Sequence, residues 1–226
     1  MKRNQSGFTL IEIAIVLVII GLLLGGVLKG QELINSAKVK NLATDFRNIP
    51  VFIYGYQDKF KALPGDDANA AAHVTGATVA TNPPGTIGNG VIEGAWDSIT
   101  TTDETQKFWQ DVRLAGLAAG PTANATDLLP TNSVGGVIGI TNGGVNNPDP
   151  AAAGSKLTGT YIICSAGILG KFAKQLDIQL DDGNPVTGSL RVYTPTVTTR
   201  PTTLSAPALT AGAIDDATSY TVCMGV

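Results

Sequence analysis

The sequence is poor in the residues that build most catalytic and metal centres. Its 226 residues include one histidine, His73, and two cysteines, Cys164 and Cys223. These cannot form a zinc cluster of histidine and cysteine ligands, and a histidine-based catalytic site would have to use His73. Charged residues make up only 15% of the chain, and the net charge is −3. This balance argues against a nucleic-acid binder that works through a basic surface.

The few charges are unevenly distributed. Residues 1–62 hold eight basic and four acidic side chains, whereas residues 63–226 hold 7 basic and 14 acidic ones. The chain therefore has a basic, apolar N-terminal part and an acidic part that is rich in glycine and threonine. Hydrophobic residues are 43% of the chain and the mean hydropathy is +0.17, which excludes general disorder.

An apolar run near the N-terminus has the length of a membrane span. Residues 8–28 read FTLIEIAIVLVIIGLLLGGVL, with Glu12 as the only charge. As a helix this run is about 31 Å long, close to the hydrocarbon thickness of a bilayer. Lys2 and Arg3 precede it, so the positive-inside rule predicts a cytoplasmic N-terminus. A signal peptide and a plain anchor are alternatives, but no Ala-x-Ala site follows the run.

Glu12 needs an explanation of its own. A charge in a bilayer costs about 2.5–3.5 kcal/mol at the centre and less near the edge, so such a residue usually has a partner and a function. No lysine or arginine lies within residues 8–28 to pair with it. A partner from another subunit is the natural expectation.

The residues around Glu12 form a recognisable motif. Residues 7–12, GFTLIE, follow Lys2 and Arg3 and open the apolar run. This arrangement resembles the processing site of type IV prepilins and type II secretion pseudopilins. The resemblance implies that a prepilin peptidase cuts between Gly7 and Phe8 and methylates the new amine of Phe8. Glu12 would become the fifth residue of the mature chain and would pair with the N-terminal amine of a neighbouring subunit during assembly.

The resemblance also implies a biological setting. The leading interpretation is a structural subunit of a type IV pilus, with no enzymatic activity and no cofactor. Its partners would be identical or related pilin subunits, the prepilin peptidase and the inner-membrane assembly platform. The chain would cross the inner membrane once before assembly and then enter a periplasmic or extracellular filament. A type II secretion pseudopilin or minor tip pilin is the alternative, and a membrane-anchored binding module or hydrolase is the third.

The apolar run departs from many major pilins at its end. Those proteins carry a proline there, where this chain has Lys29. It has two small-xxx-small spacings instead, which let helices approach closely and which also weaken a helix. We interpret them as packing sites and points of local melting, and ordinary membrane-helix glycine is an equal alternative. The glycines are Gly21, Gly25, Gly26 and Gly30.

Helical periodicity continues beyond the membrane segment. Apolar residues recur at helical spacing through residues 29–62, so this segment is expected to be amphipathic and to need a partner surface. Pro50 should kink or interrupt it, and Pro64-Gly65 should end it. The expected organisation is a leader at 1–7, a transmembrane or filament-core helix at 8–28, its amphipathic continuation at 29–62 and a globular head at 63–226.

The head has signals for both helices and strands. A capping box at 101–104 predicts a second helix, and 168–176 predicts a third. Residues 133–141, 159–165 and 220–224 look like strands, and a turn at 182–185 suggests a hairpin between 178–180 and 190–194. The Pro/Thr-rich segment 195–210 is expected to be an exposed loop. The fold class is thus α+β, and the pilin resemblance implies a long helix packed on an antiparallel sheet.

The cysteines and the paired aspartates are the remaining candidates. Cys164 and Cys223 both fall in predicted strands on the non-cytoplasmic side, where a disulfide is permitted, and two buried free thiols are the alternative. A disulfide near the C-terminus resembles type IV pilins. The aspartate pairs at 66–67, 181–182 and 215–216 are expected to be solvated, capping or turn-forming residues. The resemblance to pseudopilins, some of which bind calcium, suggests calcium at Asp181, Asp182 or Asn184.

Overall fold

The computed structural model describes residues 9–83, 85–123, 128–149, 156–195, 204–207 and 214–226. The chain divides into two compact units, Met1–Lys38 and Val39–Val226. One helix, α1 (Leu10–Phe60), runs through the boundary between them.

The first unit holds the apolar part of α1. The large apolar side chains between Leu10 and Leu28 are exposed, so no described residue covers them. Within the described residues, α1 is the one helix long and apolar enough to cross a membrane, with a mean hydropathy of 2.8 over its most apolar stretch. The predicted helix is confirmed, and its apolar surface still needs a lipid or protein environment.

The second half of α1 packs into the core of the second unit. Its buried side chains follow the spacing of one helix face, as the periodicity predicts. They are Val39, Leu42, Ala43, Phe46, Ile49, Ile53 and Tyr56.

The expected interruption at Pro50 is wrong, because α1 continues through this residue to Phe60. A proline inside a helix removes one hydrogen bond and costs about 3 kcal/mol. Phe46, Ile49 and Ile53 flank Pro50 and are almost completely buried. Their packing against the head offsets that cost, since tertiary contacts supply most of the stability of helices in proteins.

The described residues of the head form an antiparallel sheet and three further helices. Its five strands lie in the order β1-β2-β5-β3-β4, and every neighbouring pair is antiparallel. The α+β prediction is therefore confirmed. The elements in chain order are α2 (Ala70–His73), α3 (Glu104–Leu114), β1 (Ile138–Asn142), β2 (Tyr161–Leu169), α4 (Gly170–Leu180), β3 (Leu190–Pro195), β4 (Leu204–Pro207) and β5 (Ser219–Gly225).

One apolar core joins α1, α3 and α4 to the sheet. Phe46 and Ile53 of α1, Phe108 of α3, Phe172 of α4 and Val222 of β5 all belong to it. Each of them is at most 2% exposed, so the head buries a continuous hydrophobic interior. Trp96, Phe108 and Trp109 are also buried, which favours core packing over a surface patch for stacking on sugars or bases.

Two local predictions for the head are wrong. Residues 178–180 are not a strand of a hairpin, because they form the last turn of α4. The segment 195–210 is not entirely loop, because Leu204–Pro207 pairs with β3 as the edge strand β4.

Cys164 and Cys223 form a disulfide between neighbouring strands. They lie directly opposite each other in the register of β2 and β5. The bridge joins residues that are 59 positions apart in sequence. It belongs to a second apolar cluster with Trp96, Ile162 and Tyr193, and both cysteines are fully buried.

Candidate functional site

The predicted processing residues precede the described part of the chain. Gly7 and Phe8 lie outside the described residues, which begin at Thr9. Glu12 is described and lies in the first turn of α1. The geometry of the site therefore rests on the residues from Thr9 onwards.

Thr9 and Glu12 form a reciprocal pair at the start of α1. The backbone N–H and the Oγ1 hydroxyl of Thr9 donate to Glu12 Oε2 at 2.8 and 2.6 Å, and the Glu12 N–H donates to Thr9 Oγ1 at 3.3 Å. This is a capping box, in which each side chain satisfies a backbone N–H that the helix leaves unpaired. The sequence analysis missed it, although the T-x-x-E spacing at 9–12 is its usual signal.

The Glu12 carboxylate has no cationic partner within the described residues. None of their ion pairs includes it, and its side chain is exposed at the edge of the apolar surface. Its two bonds to Thr9 use a single oxygen, Oε2. No described residue donates to Oε1, which can therefore accept from a group on another chain.

The four glycines of the apolar helix lie on an open surface. A Cβ atom at Gly21, Gly25, Gly26 or Gly30 would meet nothing within 4 Å. No contact inside the single chain therefore requires glycine at these positions. Close approach of another helix is one reason for glycine here, and this remains a prediction.

A second polar cluster surrounds the end of α1 in the head. Asp67 is buried and accepts a hydrogen bond from the Tyr56 hydroxyl at 2.9 Å. The His73 Nδ1 atom lies 2.6 Å from the same carboxylate, and the His73 ring stacks on Phe60. Asp66 is buried too and accepts from the Gly90 N–H at 2.6 Å. Asp66 and Asp67 are therefore not solvated, but Asp67 is turn-forming as expected, because its Oδ1 atom accepts from the Asn69 N–H at 2.8 Å.

This cluster borders a cleft of about 740 Å³. Among the described residues that line the cleft there is no serine, threonine or cysteine that the Asp67–His73 pair could activate as a nucleophile. The hydrogen bonds instead hold the segment after α1 against the helix. We interpret the cluster as structural.

Two acidic residues of α3 are buried beside it. Glu104 accepts from the Glu93 N–H at 2.7 Å, and Asp111 accepts from the Gly65 N–H at 2.8 Å. Burial raises the pKa of each carboxyl to about 7, and the backbone donors offset only part of that rise. Both carboxyls therefore titrate near neutral pH.

This titration predicts a pH-dependent stability. The folded chain binds more protons than the unfolded chain between the ordinary carboxyl pKa of about 4 and the raised value near 7. The stability that protonation supplies is complete below about pH 4 and is lost as the pH rises through 7. We expect the free energy of unfolding to be larger at pH 5 than at pH 8, by on the order of a few kcal/mol. The Tm should therefore be higher at pH 5.

Thermal melts of the full chain in detergent would measure this effect. Asp111→Asn should reduce the difference between pH 5 and pH 8, because it removes one of the titrating groups. Asp58→Asn, at an exposed position of α1, should not. A Tm of the parent chain that rises from pH 5 to pH 8 would contradict the expectation.

The suggested calcium residues fall between α4 and β3. Asp181 and Asp182 directly follow α4 and lie close together with Asp177, a residue of α4 that the sequence analysis did not single out. Asn184 follows in the same loop, where its N–H donates to Asp182 Oδ1 at 2.8 Å and its Oδ1 atom accepts from the Val186 N–H at 3.4 Å.

The comparisons with known proteins agree with the N-terminal assignment. Residues 2–28 match the model of the prokaryotic N-terminal methylation motif. No curated protein and no solved structure matches the chain. The motif shows that the chain carries a type IV prepilin-like class III signal peptide. With the long apolar helix and the α+β head, this motif supports a protein of the type IV pilin or pseudopilin kind.

Proposed function

We propose that the chain is a structural subunit of a type IV pilus. The observation that carries the proposal is the exposed apolar surface of α1 within the methylation motif at residues 2–28. Such a surface is stable in lipid before assembly and against the helices of other subunits afterwards. Prepilin peptidase would cut after Gly7 and methylate Phe8, and the acidic head would form the outer surface of the filament.

The assembly step follows from the charges at the start of the mature chain. Cleavage after Gly7 creates a new ammonium group at Phe8, and the carboxylate of Glu12 lies one helical turn further on. Within one subunit, this carboxylate is already bonded to Thr9. Between subunits, Oε1 can accept from the Phe8 ammonium of a neighbour. Each charge then offsets the desolvation of the other in the apolar filament core.

A type II secretion pseudopilin is the second candidate. It would share the motif, the apolar helix and the processing steps. The disulfide between β2 and β5 favours the pilus, because it resembles the C-terminal bridge of type IV pilins. Loss of secreted enzymes without loss of surface filaments in a deletion strain would favour the pseudopilin.

Mass spectrometry of the N-terminal peptide tests the proposal. We expect a peptide that starts at methylated Phe8 in the fraction sheared from the cell surface. The Gly7→Ala chain is the matched control, and it should accumulate in the membrane with its N-terminus at Met1. A trimmed peptide that occurs only in the membrane fraction of the parent chain would favour a pseudopilin or minor subunit. An intact Met1 in the parent chain would contradict processing altogether.

A further inference from the structure

A small cavity lies between the second half of α1 and the rest of the head. Its volume is about 130 Å³, close to that of an engineered cavity of about 150 Å³ that binds one benzene molecule. One wall is a single face of α1, on which Asp45, Ile49 and Phe52 follow one another at helical spacing. Trp109 of α3 and Ile138 of β1 contribute to the other walls. Most of the lining residues are apolar.

Asp45 brings a negative charge to this cavity. Its side chain is partly buried, and none of the ion pairs among the described residues includes it. Burial alone raises the pKa of its carboxyl to about 6, and no described donor or cation lowers it again. At neutral pH the carboxyl is therefore mostly ionised, without a partner in the described part of the chain.

The charged side chains of the neighbouring α3 are bonded elsewhere. Lys107 donates to a threonine hydroxyl at 2.6 Å, and Asp111 accepts from a backbone N–H of the segment after α1 at 2.8 Å. The Arg113 guanidinium lies 5.7 Å from the centre of the Trp109 ring and donates to a backbone carbonyl at 2.9 Å. Among the described residues that line the cavity, Asp45 is the only charged one.

Trp109 brings a buried donor to the same cavity. Its side chain is 3% exposed, and its indole N–H has no hydrogen-bond acceptor within the described structure. Buried polar groups in proteins are normally paired, so each unpaired one calls for an explanation. Besides Asp45, the polar residues that line the cavity are Asn48 and Thr131. The cavity thus combines an unpaired anionic acceptor and an unpaired donor with mostly apolar walls.

We propose that this cavity binds a small amino alcohol. The ammonium group would donate to the Asp45 carboxylate, the hydroxyl oxygen would accept from the Trp109 N–H, and the carbon chain would lie against the apolar walls. A simple amine offers no acceptor to the indole, and a simple alcohol offers no charge to Asp45. The volume limits the ligand to about six non-hydrogen atoms, roughly the size of benzene. All lining residues belong to the unit Val39–Val226, so binding does not depend on filament assembly.

NMR of the indole N–H groups in the full chain in detergent would test the proposal. The probe is the linear aminobutanol with its amine and hydroxyl at opposite ends. We expect a saturable shift of the Trp109 signal with a Kd on the order of 1 mM. The signal of Trp96, which lies in the cluster around the disulfide, should not move. Butylammonium should bind about fivefold more weakly and butanol about tenfold more weakly. Equal binding of either one, or no saturable shift because the cavity holds only water, would overturn the proposal.

Two variants assign each ligand group to its protein partner. Asp45→Asn should lower the affinity for aminobutanol about tenfold and leave that for butanol unchanged. Trp109→Phe, followed through the backbone signal of Ala119, should lower the affinity for aminobutanol about fivefold and leave that for butylammonium unchanged. The matched control Asp58→Asn, at an exposed carboxylate of α1, should bind like the parent. If Trp109→Phe does not fold, the comparison of aminobutanol with butylammonium in the parent still decides the role of the oxygen. Undiminished binding to Asp45→Asn would overturn the proposal.

The pH dependence of binding gives an independent readout. The Asp45 carboxyl has a pKa of about 6, whereas an alkylamine stays protonated well above neutral pH, with a pKa of about 10. Aminobutanol should therefore bind about tenfold more weakly at pH 5 than at pH 8, because protonation removes the charge that attracts the ammonium group. Asp45→Asn should bind equally at both pH values. The same Kd for the parent chain at pH 5 and pH 8 would contradict an ion pair with Asp45.

Discussion

Replacing Glu12 with alanine or valine should leave cleavage after Gly7 intact and abolish filament formation. Cleavage uses the residues around Gly7, whereas Glu12 acts after the new N-terminus exists. In the assembled filament its carboxylate would pair with the Phe8 ammonium of a neighbour. Without Glu12 that ammonium has no counter-charge in an apolar environment, which costs several kcal/mol per subunit, roughly. Repeated along a polymer, this cost prevents assembly.

The capping box gives Glu12 a second role, and the two roles can be separated. Glu12→Gln removes the charge but keeps a side chain that can cap the helix. Thr9→Val removes the hydroxyl bond to Glu12 but keeps the carboxylate. If the charge pair between subunits governs assembly, Glu12→Gln should fail like Glu12→Ala, and Thr9→Val should assemble. If capping governs it, the two results should be reversed.

Electron microscopy of sheared filaments and mass spectrometry of the N-terminus would measure both steps. Each variant should yield a chain that begins at methylated Phe8, which shows that processing is intact. Normal filaments from Glu12→Ala would contradict the pairing argument. Untrimmed chains from Glu12→Ala would show that Glu12 acts earlier, at recognition by the peptidase.

The sequence predicts the N-terminal part of this molecule well, because the signals there are local. A membrane-length apolar run, a charge within it and a helical repeat of buried residues each specify structure over a few turns. The helix accordingly runs from Leu10 to Phe60. The interruption expected at Pro50 is absent, because the cost of the proline is local, whereas the packing of Phe46 and Ile53 that offsets it depends on the head.

The fold class of the head follows from the sequence, but its individual helices and strands are predicted less well. Strands around Cys164 and Cys223 are apolar and β-branched, so β2 and β5 were recognised. The sequence predicts a strand at residues 178–180, because the turn signal that follows them is compatible with a hairpin as well as with the end of a helix. The structure resolves this ambiguity through Phe172 and Leu176, which bury one face of α4 in the core.

The polar clusters depended on contacts that a sequence does not display. Asp67 and His73 are close in the chain, but Tyr56, which completes their cluster, belongs to α1. Asp177 lies one helical turn before Asp181, a spacing that places both on one side of α4. That spacing was present in the sequence, but only the burial of Asp177 shows that it differs from an ordinary surface carboxylate.

Replacing Cys164 and Cys223 together with alanine should lower the Tm of the head by roughly 10 °C. The bridge closes a segment with a sequence separation of 59 residues. In the chain-entropy account a loop of this size corresponds to about 4 kcal/mol. Both cysteines also pack against Trp96 and Tyr193, so the truncated side chains add a smaller packing loss. The sheet register should survive, because the β2–β5 hydrogen bonds do not depend on the sulfurs.

Refolding the parent chain in reducing agent separates the bridge from the packing. The reduced parent keeps both side chains and should lose most of the stability that the double alanine variant loses. The matched control is Thr221→Val on β5. The Thr221 hydroxyl is buried without a hydrogen bond within the described structure, so this change should be neutral or slightly stabilising. Thermal unfolding followed by the fluorescence emission of the buried Trp96 would give the Tm of the reduced parent, the double alanine variant and the Thr221→Val chain. A reduced parent that melts like the oxidised one would contradict a stabilising role, and the bridge would then matter for assembly or export instead.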